Sequence, residues 1–216
     1  VINKIIGGLR MLHNIKEEQA DYFSIWKAYY QKTIERIQKV RDLIPFANNK
    51  EIVINGRKCR NVFFYQDELA DKVRNIQCNK FVLLHGDCTF SNILLRKNLE
   101  PVFIDPRGYF GYSELVGDPL YDWAKLYYSI CGNYDQFNLK RFNLIIENEK
   151  VELSIASNGW EDMEDEFISY FNKTEVENIK LVHAIIWLSL TTYAWEDYDS
   201  ICGAFYQGLY YLEEVL

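Results

Sequence analysis

The stretch HGDCTFSN, residues 85–92, places an aspartate two positions after a histidine and an asparagine five positions after that aspartate. The brief apolar run 81–84 leads directly into it, and such a run is typical of a buried strand. Asp87 and Asn92 therefore follow a predicted strand on one short loop, where their side chains can act together. The alternative is that both side chains only bond the backbone of a tight turn, as these residue types often do.

A second aspartate, Asp105, ends the apolar run 101–104, and the run 93–95 lies shortly before it. We expect these two runs to pair as a hairpin. In phosphoryl transfer, a carboxylate orients the attacking hydroxyl and accepts its proton, while hard oxygen ligands hold Mg²⁺ against the phosphates. Asp87 fits the first task, and Asn92 and Asp105 fit the second. The alternative for Asp105 is that it caps the following loop.

These motifs resemble those of the aminoglycoside phosphotransferase and choline kinase family, a group of protein-kinase-like kinases of small molecules. That family shows a strand entering His-Gly-Asp, an Asn five positions after the Asp, a strand ending in Ile-Asp, and then Gly-Asp-Pro followed by Asp-x-Ala on a helix. The corresponding segments of this chain are VLLHGD (82–87), NIL (92–94), FID (103–105) and GDPLYDWA (117–124).

The resemblance implies an α+β fold, mainly helical, like the carboxy-terminal lobe of a protein kinase with small β-hairpins around the catalytic loop. It also implies an ATP- and Mg²⁺-dependent phosphotransferase that acts on a hydroxyl of a small metabolite. By resemblance, Asp87 is the catalytic base. Asn92 and Asp105 are the Mg²⁺ ligands that hold the nucleotide, and His85 and Asp122 support the catalytic loop.

The chain departs from the family pattern after Asp105, where many relatives have an aromatic residue and then a glycine but this chain has Pro-Arg-Gly. We predict Arg107 as a cofactor-binding residue, because a guanidinium beside the metal ligand can clamp a phosphate, or a substrate carboxylate, through two hydrogen bonds. The alternative is that Arg107 pairs with a structural acid such as Asp122. The variant IDPRG (104–108) resembles a subgroup associated with bacterial surface-polysaccharide gene products.

Apolar residues at helical spacing predict the helices. We expect them over residues 1–14, 17–43, 66–75, 119–132, 160–171, 176–193 and 200–215. Asp118 precedes Pro119, a favoured first helical residue, so we predict Asp118 as a helix cap rather than a catalytic group. Asn55–Gly56 is a two-residue hairpin turn that predicts paired strands over 51–60, and a second hairpin is predicted over 142–155.

We predict one kinase-like lobe over residues 1–216. Its segments are a linker (1–14), a helical and hairpin segment (15–80), the catalytic core (81–132), and a hairpin with substrate-side helices (133–216). No segment before Asp87 resembles the β-rich lobe whose lysine holds the ATP phosphates in kinases. The expected partners are therefore that missing amino-terminal lobe, ATP and the small-molecule substrate.

The missing lobe also motivates a second hypothesis, in which the chain is a non-catalytic kinase-like module that binds a metabolite or a partner protein. The three phosphoryl-transfer residues argue against this hypothesis, because a binding module has no physical need for metal ligands.

The charge balance argues against nucleic acid as a partner. The chain carries 24 basic and 31 acidic side chains, a formal charge of −7, whereas a protein that neutralises a phosphate backbone needs a basic excess. The acidic excess belongs to residues 86–216, with 22 acidic against 9 basic side chains. It suits bound metal ions, a cationic substrate, or simply solubility.

The cysteines and the hydropathy indicate a cytoplasmic protein without a membrane segment. Five scattered cysteines without a C-x-x-C pair indicate free thiols in a reducing compartment. The longest uncharged stretch, Leu181–Trp195, has 15 residues, which is too short to predict a membrane span. We predict a buried helix there, with His183 as a core residue.

Aromatic and acidic residues cluster near the end of the chain, at Tyr193, Trp195, Glu196, Asp197, Tyr198 and Asp199. In the resembled family, the late helices build the substrate pocket. Rings and carboxylates together suit a cationic amino-alcohol or amino-sugar, and a neutral sugar or polyol stacked on Trp195 is equally compatible. The alternative is that these aromatic residues belong to the core.

Overall fold

The computed structural model describes residues 1–193 and 197–216. Its helices are α1 (Ile2–His13), α2 (Tyr22–Trp26), α3 (Lys32–Val40), α4 (Gln66–Arg74), α5 (Pro119–Ile130), α6 (Tyr134–Asn138), α7 (Glu164–Ile168), α8 (Lys173–Leu190) and α9 (Tyr198–Leu212). Its strands are β1 (Glu17–Gln19), β2 (Glu51–Ile54), β3 (Arg57–Arg60), β4 (Lys80–Leu83), β5 (Ile93–Leu95), β6 (Pro101–Phe103), β7 (Tyr109–Phe110), β8 (Ser113–Glu114), β9 (Val116–Gly117), β10 (Phe142–Glu147) and β11 (Lys150–Ile155).

These elements confirm the α+β class. Helices hold 49% of the residues and strands 18%, so helix predominates as expected. Neighbouring strands pair antiparallel in β1–β4, β4–β9, β5–β6, β7–β8, β2–β3 and β10–β11, whereas β11 lies parallel to β2. Short antiparallel sheets with separate helices are typical of α+β proteins rather than of doubly wound α/β proteins.

The chain divides into two compact units. The first consists of Val1–Ala28, Gln77–Asp135 and Ser157–Ile179, and the second of Tyr29–Ile76, Gln136–Ala156 and Lys180–Leu216. All predicted site residues from His85 to Asp122 belong to the first unit. The division of the chain into lobe segments stays a prediction.

The first unit contains the three-stranded sheet β1-β4-β9 and the hairpins β5–β6 and β7–β8. Its core packs α1 against α5 and α7. The fully buried side chains of this core include Ile2, Ile6, Leu9, Leu126, Ile130 and Phe167. Each such side chain contributes roughly 1.5–3 kcal/mol on burial, so α5 is anchored firmly beneath the segment that follows β4.

The second unit contains the four-stranded sheet β10-β11-β2-β3. The predicted Asn55–Gly56 turn is confirmed, with φ of 49° and 77°, because the tight turn that matches strand twist needs two left-handed residues. The Asn55 amide also donates to the Leu153 carbonyl at 2.9 Å and accepts the Leu153 N–H at 2.8 Å. This pairing joins the turn to β11.

The helix predicted over 17–43 is wrong at its start. Residues 17–19 form β1, which pairs with β4, and the helical segment begins at Tyr22. Asp21 caps it by accepting the N–H groups of Phe23 and Ser24, a role that favours a helix start at the following residue. The helical path then includes a π-helical turn over 27–31 and ends with a 3₁₀ turn over 41–43.

The helix predicted over 160–171 is shorter in the structure, with a 3₁₀ turn at 161–163 before α7. The buried helix predicted over 181–195 is confirmed as far as Leu190, where α8 ends. His183 is 1% exposed, as expected of a core residue. Residues 194–196 lie outside the described residues. In the part of the chain that the structure describes, no helix is long and apolar enough to cross a membrane.

Candidate active site

Asp122 of α5 holds the start of the 85–92 loop. Its carboxylate is fully buried. Oδ2 accepts the backbone N–H of His85 at 2.9 Å, and Oδ1 accepts that of Gly86 at 2.7 Å. The ring of His13, on α1, places Nε2 3.0 Å from Oδ2. Because a buried carboxylate is costly unless several donors surround it, these contacts fix the backbone where β4 passes into the loop.

His85 links the loop to the end of the β5–β6 hairpin. Its ring is buried, and Nε2 lies 2.8 Å from the carbonyl oxygen of Ile104. Nδ1 accepts the backbone N–H of Asp87 at 3.2 Å. A carbonyl can only accept, so the proton of the neutral ring belongs on Nε2. The imidazole thus joins Asp87 to the segment that carries Asp105.

Asp87 forms an ion pair with a lysine that the sequence analysis did not predict. Lys125 of α5 places Nζ 2.8 Å from Oδ1 of Asp87, with side chains 9% and 33% exposed. Burial alone raises the pKa of Asp87, but the Lys125 ammonium, helped by Arg107 and His85, outweighs burial and lowers the pKa below its usual value. Asp87 is therefore an anion at neutral pH, able to orient a hydroxyl and to accept its proton.

Asn92 is tied to Asp87. Its side-chain nitrogen donates to the Asp87 carbonyl at 2.9 Å and to Oδ2 at 3.2 Å. Both acceptors are oxygens, which identifies the contacting atom as nitrogen and leaves the amide oxygen as the atom that can ligate a cation.

Asp105 follows β6 at the same end of the hairpin. The backbone N–H of Ile104 donates to the Asn92 carbonyl at 3.0 Å, so Asp105 comes one residue after the partner of Asn92. Its side chain is exposed and its φ is +55°. A non-glycine residue in this left-handed region is uncommon and is often found at functional sites.

Within residues 1–193 and 197–216, no group of three or more His, Cys, Asp or Glu side chains is arranged to hold a metal ion. Two oxygen ligands, Asn92 and Asp105, remain for the predicted Mg²⁺. Magnesium in kinase sites is commonly held by one or two protein ligands, with phosphates and water completing the octahedron. The donor set therefore fits a cation that arrives with a nucleotide better than a closed structural site.

Arg107 lies against the loop at Gly86. Its backbone N–H donates to the His85 carbonyl at 2.8 Å, and Nη1 donates to the Tyr121 hydroxyl at 2.9 Å. A Cβ on Gly86, which has a φ of +76°, would lie 2.9 Å from the Cβ of Arg107. Of the two alternatives for Arg107, the structural one named Asp122 as partner, whereas the contact seen for the guanidinium is to Tyr121.

Asp118 is a helix cap, as predicted. It is buried, and Oδ1 accepts the backbone N–H of Leu120 in the first turn of α5. This contact satisfies one of the amide groups that every helix start leaves unpaired.

The late aromatic and acidic cluster does not form one group in the structure. Tyr193 and Asp197 belong to the second unit, while Trp195 and Glu196 lie outside the described residues. Asp197 accepts from Lys140 Nζ at 2.5 Å, and Arg36 lies over the Tyr193 ring at 4.5 Å. These contacts are local to the second unit and assign no substrate role.

Comparisons of the chain with protein-family models, with curated proteins and with solved structures found no match.

Proposed function

We propose that this protein is an ATP- and Mg²⁺-dependent phosphotransferase that acts on an alcohol group of a small metabolite, and that it belongs to the aminoglycoside phosphotransferase and choline kinase family. The observation that carries the proposal is the contact between Asn92 and Asp87. It ties a carboxylate suited to orient a hydroxyl to an amide whose oxygen is suited to a cation. The five free cysteines are compatible with a cytoplasmic protein.

In the proposed reaction, Asp87 orients the substrate hydroxyl and takes its proton as the hydroxyl oxygen attacks the terminal phosphate of ATP. Asn92 and Asp105 hold Mg²⁺, which when bound neutralises the charge of the phosphates. Arg107 offers its guanidinium to a phosphate oxygen or to a substrate carboxylate. The substrate is an amino-alcohol, a sugar or a polyol.

His85 and Asp122 keep this arrangement in place. Asp122 holds two consecutive backbone amides of the loop, and the His85 ring joins the loop to the hairpin end. Neither side chain needs to touch substrate in order to matter, because a general base displaced by about 1 Å can lose on the order of a hundredfold in rate.

ATP turnover by the protein expressed from its complete gene tests the proposal. We expect Asp87→Ala to lower turnover by at least about a hundredfold, since a general base contributes roughly 10²–10⁴. Asp71→Ala, on the exposed face of α4, is the matched control and should leave turnover unchanged. Equal rates for the wild type and Asp87→Ala would contradict the proposal.

Nucleotide binding tests the assignment of the metal ligand. Asp105→Ala should abolish the Mg²⁺-dependent part of ATP binding, measured by calorimetry with and without Mg²⁺. Retained Mg²⁺ dependence would count against Asp105.

A thermal-shift screen over amino-alcohols, sugars and polyols would identify the substrate class, because a ligand that binds only the folded state raises the unfolding temperature. Stabilisation by a metabolite without any ATP turnover would favour the non-catalytic module instead.

A further inference from the structure

The Lys125 side chain is buried at the point where the proposed reaction takes place. Its ammonium contacts Asp87 Oδ1 at 2.8 Å, and only 9% of the side chain is exposed. A buried ammonium is costly unless its partners compensate for lost water. Lysines on the surface make ion pairs without this cost, so the position of Lys125 calls for an explanation beyond solubility.

Two tyrosine rings enclose the same ammonium. The rings of Tyr128 and Tyr134 stack with centroids 4.3 Å apart and planes 20° apart. Nζ of Lys125 lies 5.2 Å from the first centroid and 5.8 Å from the second, within the range of cation–π attraction. The ammonium is therefore held by a carboxylate and two ring faces, which gives it one defined place.

The contacts of Asp87 divide between its two oxygens. Lys125 holds Oδ1, and the Asn92 amide contacts Oδ2 at 3.2 Å. Two contacts on separate oxygens fix the plane of the carboxylate, which a single contact would leave free to rotate. The exposed third of the Asp87 side chain is then presented in one orientation.

We propose that Lys125 is a positioning residue of the phosphotransferase site: by holding Oδ1 of Asp87, it orients the carboxylate so that the Oδ2 edge meets the substrate hydroxyl. This inference rests on the proposed function. The competing explanation is an ion pair that only stabilises the fold, and a third is direct contact between Lys125 and the transferred phosphate.

Steady-state ATP turnover of Lys125→Met, Lys125→Arg, Asp87→Ala and the double variant Lys125→Met/Asp87→Ala separates these explanations. Lys80→Met, which removes an exposed ion pair with Glu17, is the matched control. We expect Lys125→Met to lower kcat by about a hundredfold, with the KM for ATP within about threefold, because misplacement of the base acts on the chemical step. Lys125→Arg should recover at least about tenfold of that loss.

The double variant decides between positioning and direct contact. If Lys125 acts through Asp87, Lys125→Met has no further effect once Asp87 is alanine. A further loss of about tenfold or more in that background would overturn the inference in favour of phosphate contact, and an unchanged kcat in Lys125→Met would overturn it in favour of a structural pair. If Lys125→Met does not fold, Lys125→Gln takes its place in every arm, with an expected fall of about tenfold because a neutral donor remains.

Crystal structures of the wild type and Lys125→Met separate failure of this inference from failure of the proposed function. Displacement of the Asp87 carboxylate in the variant supports positioning, and an unmoved carboxylate overturns it even if turnover falls. No ATP turnover by the wild type would overturn the proposed function and, with it, the catalytic part of this inference.

Discussion

The Asp122 carboxylate accepts the backbone N–H of Gly86 at 2.7 Å, although 36 positions separate the two residues in the chain. The other carboxylate oxygen accepts the amide of His85. One side chain of α5 thus pairs with two consecutive amides just before Asp87. The orientation of the proposed base depends on a helix that the sequence places well after it.

Replacing Asp122 should destabilise the protein strongly. Asp122→Ala leaves the buried amides of His85 and Gly86 without their acceptor, and each such loss costs about 1–3 kcal/mol. We therefore expect the free energy of unfolding in urea to fall by roughly 3 kcal/mol or more. Asp71→Ala removes an exposed aspartate and should change it by no more than about 0.5 kcal/mol. Equal effects of the two variants would contradict the bracing role.

Gly86 should tolerate alanine less well than Gly56 does. Both residues have a positive φ, of 76° and 77°, so both variants incur the left-handed penalty of about 1–2 kcal/mol. Only at Gly86 does the added Cβ meet a neighbour, the Cβ of Arg107 at 2.9 Å, whereas at Gly56 nothing lies within 4 Å. We expect Gly86→Ala to lose about 1 kcal/mol more than Gly56→Ala in urea unfolding, because overpacking adds to the backbone strain.

Gly7→Ala provides a further control in the opposite direction. Gly7 lies in α1 with open space around its Cβ position, so alanine should stabilise the protein by up to about 1 kcal/mol. A similar loss at Gly86 and Gly56 would mean that the loop and Arg107 separate easily.

The residues of the site that the sequence predicts are those whose partners lie nearby in the chain. Asp87, Asn92 and Asp105 share one loop and one hairpin, and short apolar runs mark the strands around them. Lys125 was missed because its contact with Asp87 exists only once α5 packs beneath the loop. The available signal was its place three positions after Asp122 on the same helix, which puts both side chains on one face.

The elements that the sequence did not predict are the shortest ones. Strands β7, β8 and β9 have two residues each, too few to show an alternation of burial. In β1 all three residues are exposed, so its pairing with β4 depends on backbone hydrogen bonds that leave no hydrophobic pattern. By contrast, the Asn55–Gly56 turn and the Asp118 cap were predictable, because each depends on the chemistry of single residues.

Stability should fall in mild acid because of His183. Its Nε2 accepts the indole N–H of Trp187 at 3.0 Å. Burial, with a smaller contribution from Lys180, lowers its pKa from 6.5 to about 3. Between these values the unfolded chain binds a proton that the folded chain does not, so stability is complete above the unfolded pKa and decreases as the pH falls below it.

From this group we expect a loss of about 2 kcal/mol in the free energy of unfolding between about pH 7 and about pH 5. His183→Gln keeps an acceptor for Trp187 but cannot take up the proton, so its loss over the same interval should be smaller by that amount. Urea unfolding at both pH values measures the difference. Parallel pH dependence in the wild type and the variant would mean that another group is responsible.

Arg107 should act on nucleotide binding rather than on the chemical step. Its backbone N–H and Nη1 contact the His85 carbonyl and the Tyr121 hydroxyl, which places the guanidinium beside the loop without using all of its five donors. Arg107→Lys keeps the charge but not the paired hydrogen bonds that a phosphate accepts. We expect the KM for ATP to rise about tenfold with little change in kcat. Tyr121→Phe, which removes only the hydroxyl partner, should change either constant by less than about threefold. A rise in the KM for the second substrate instead would assign the guanidinium to a substrate carboxylate.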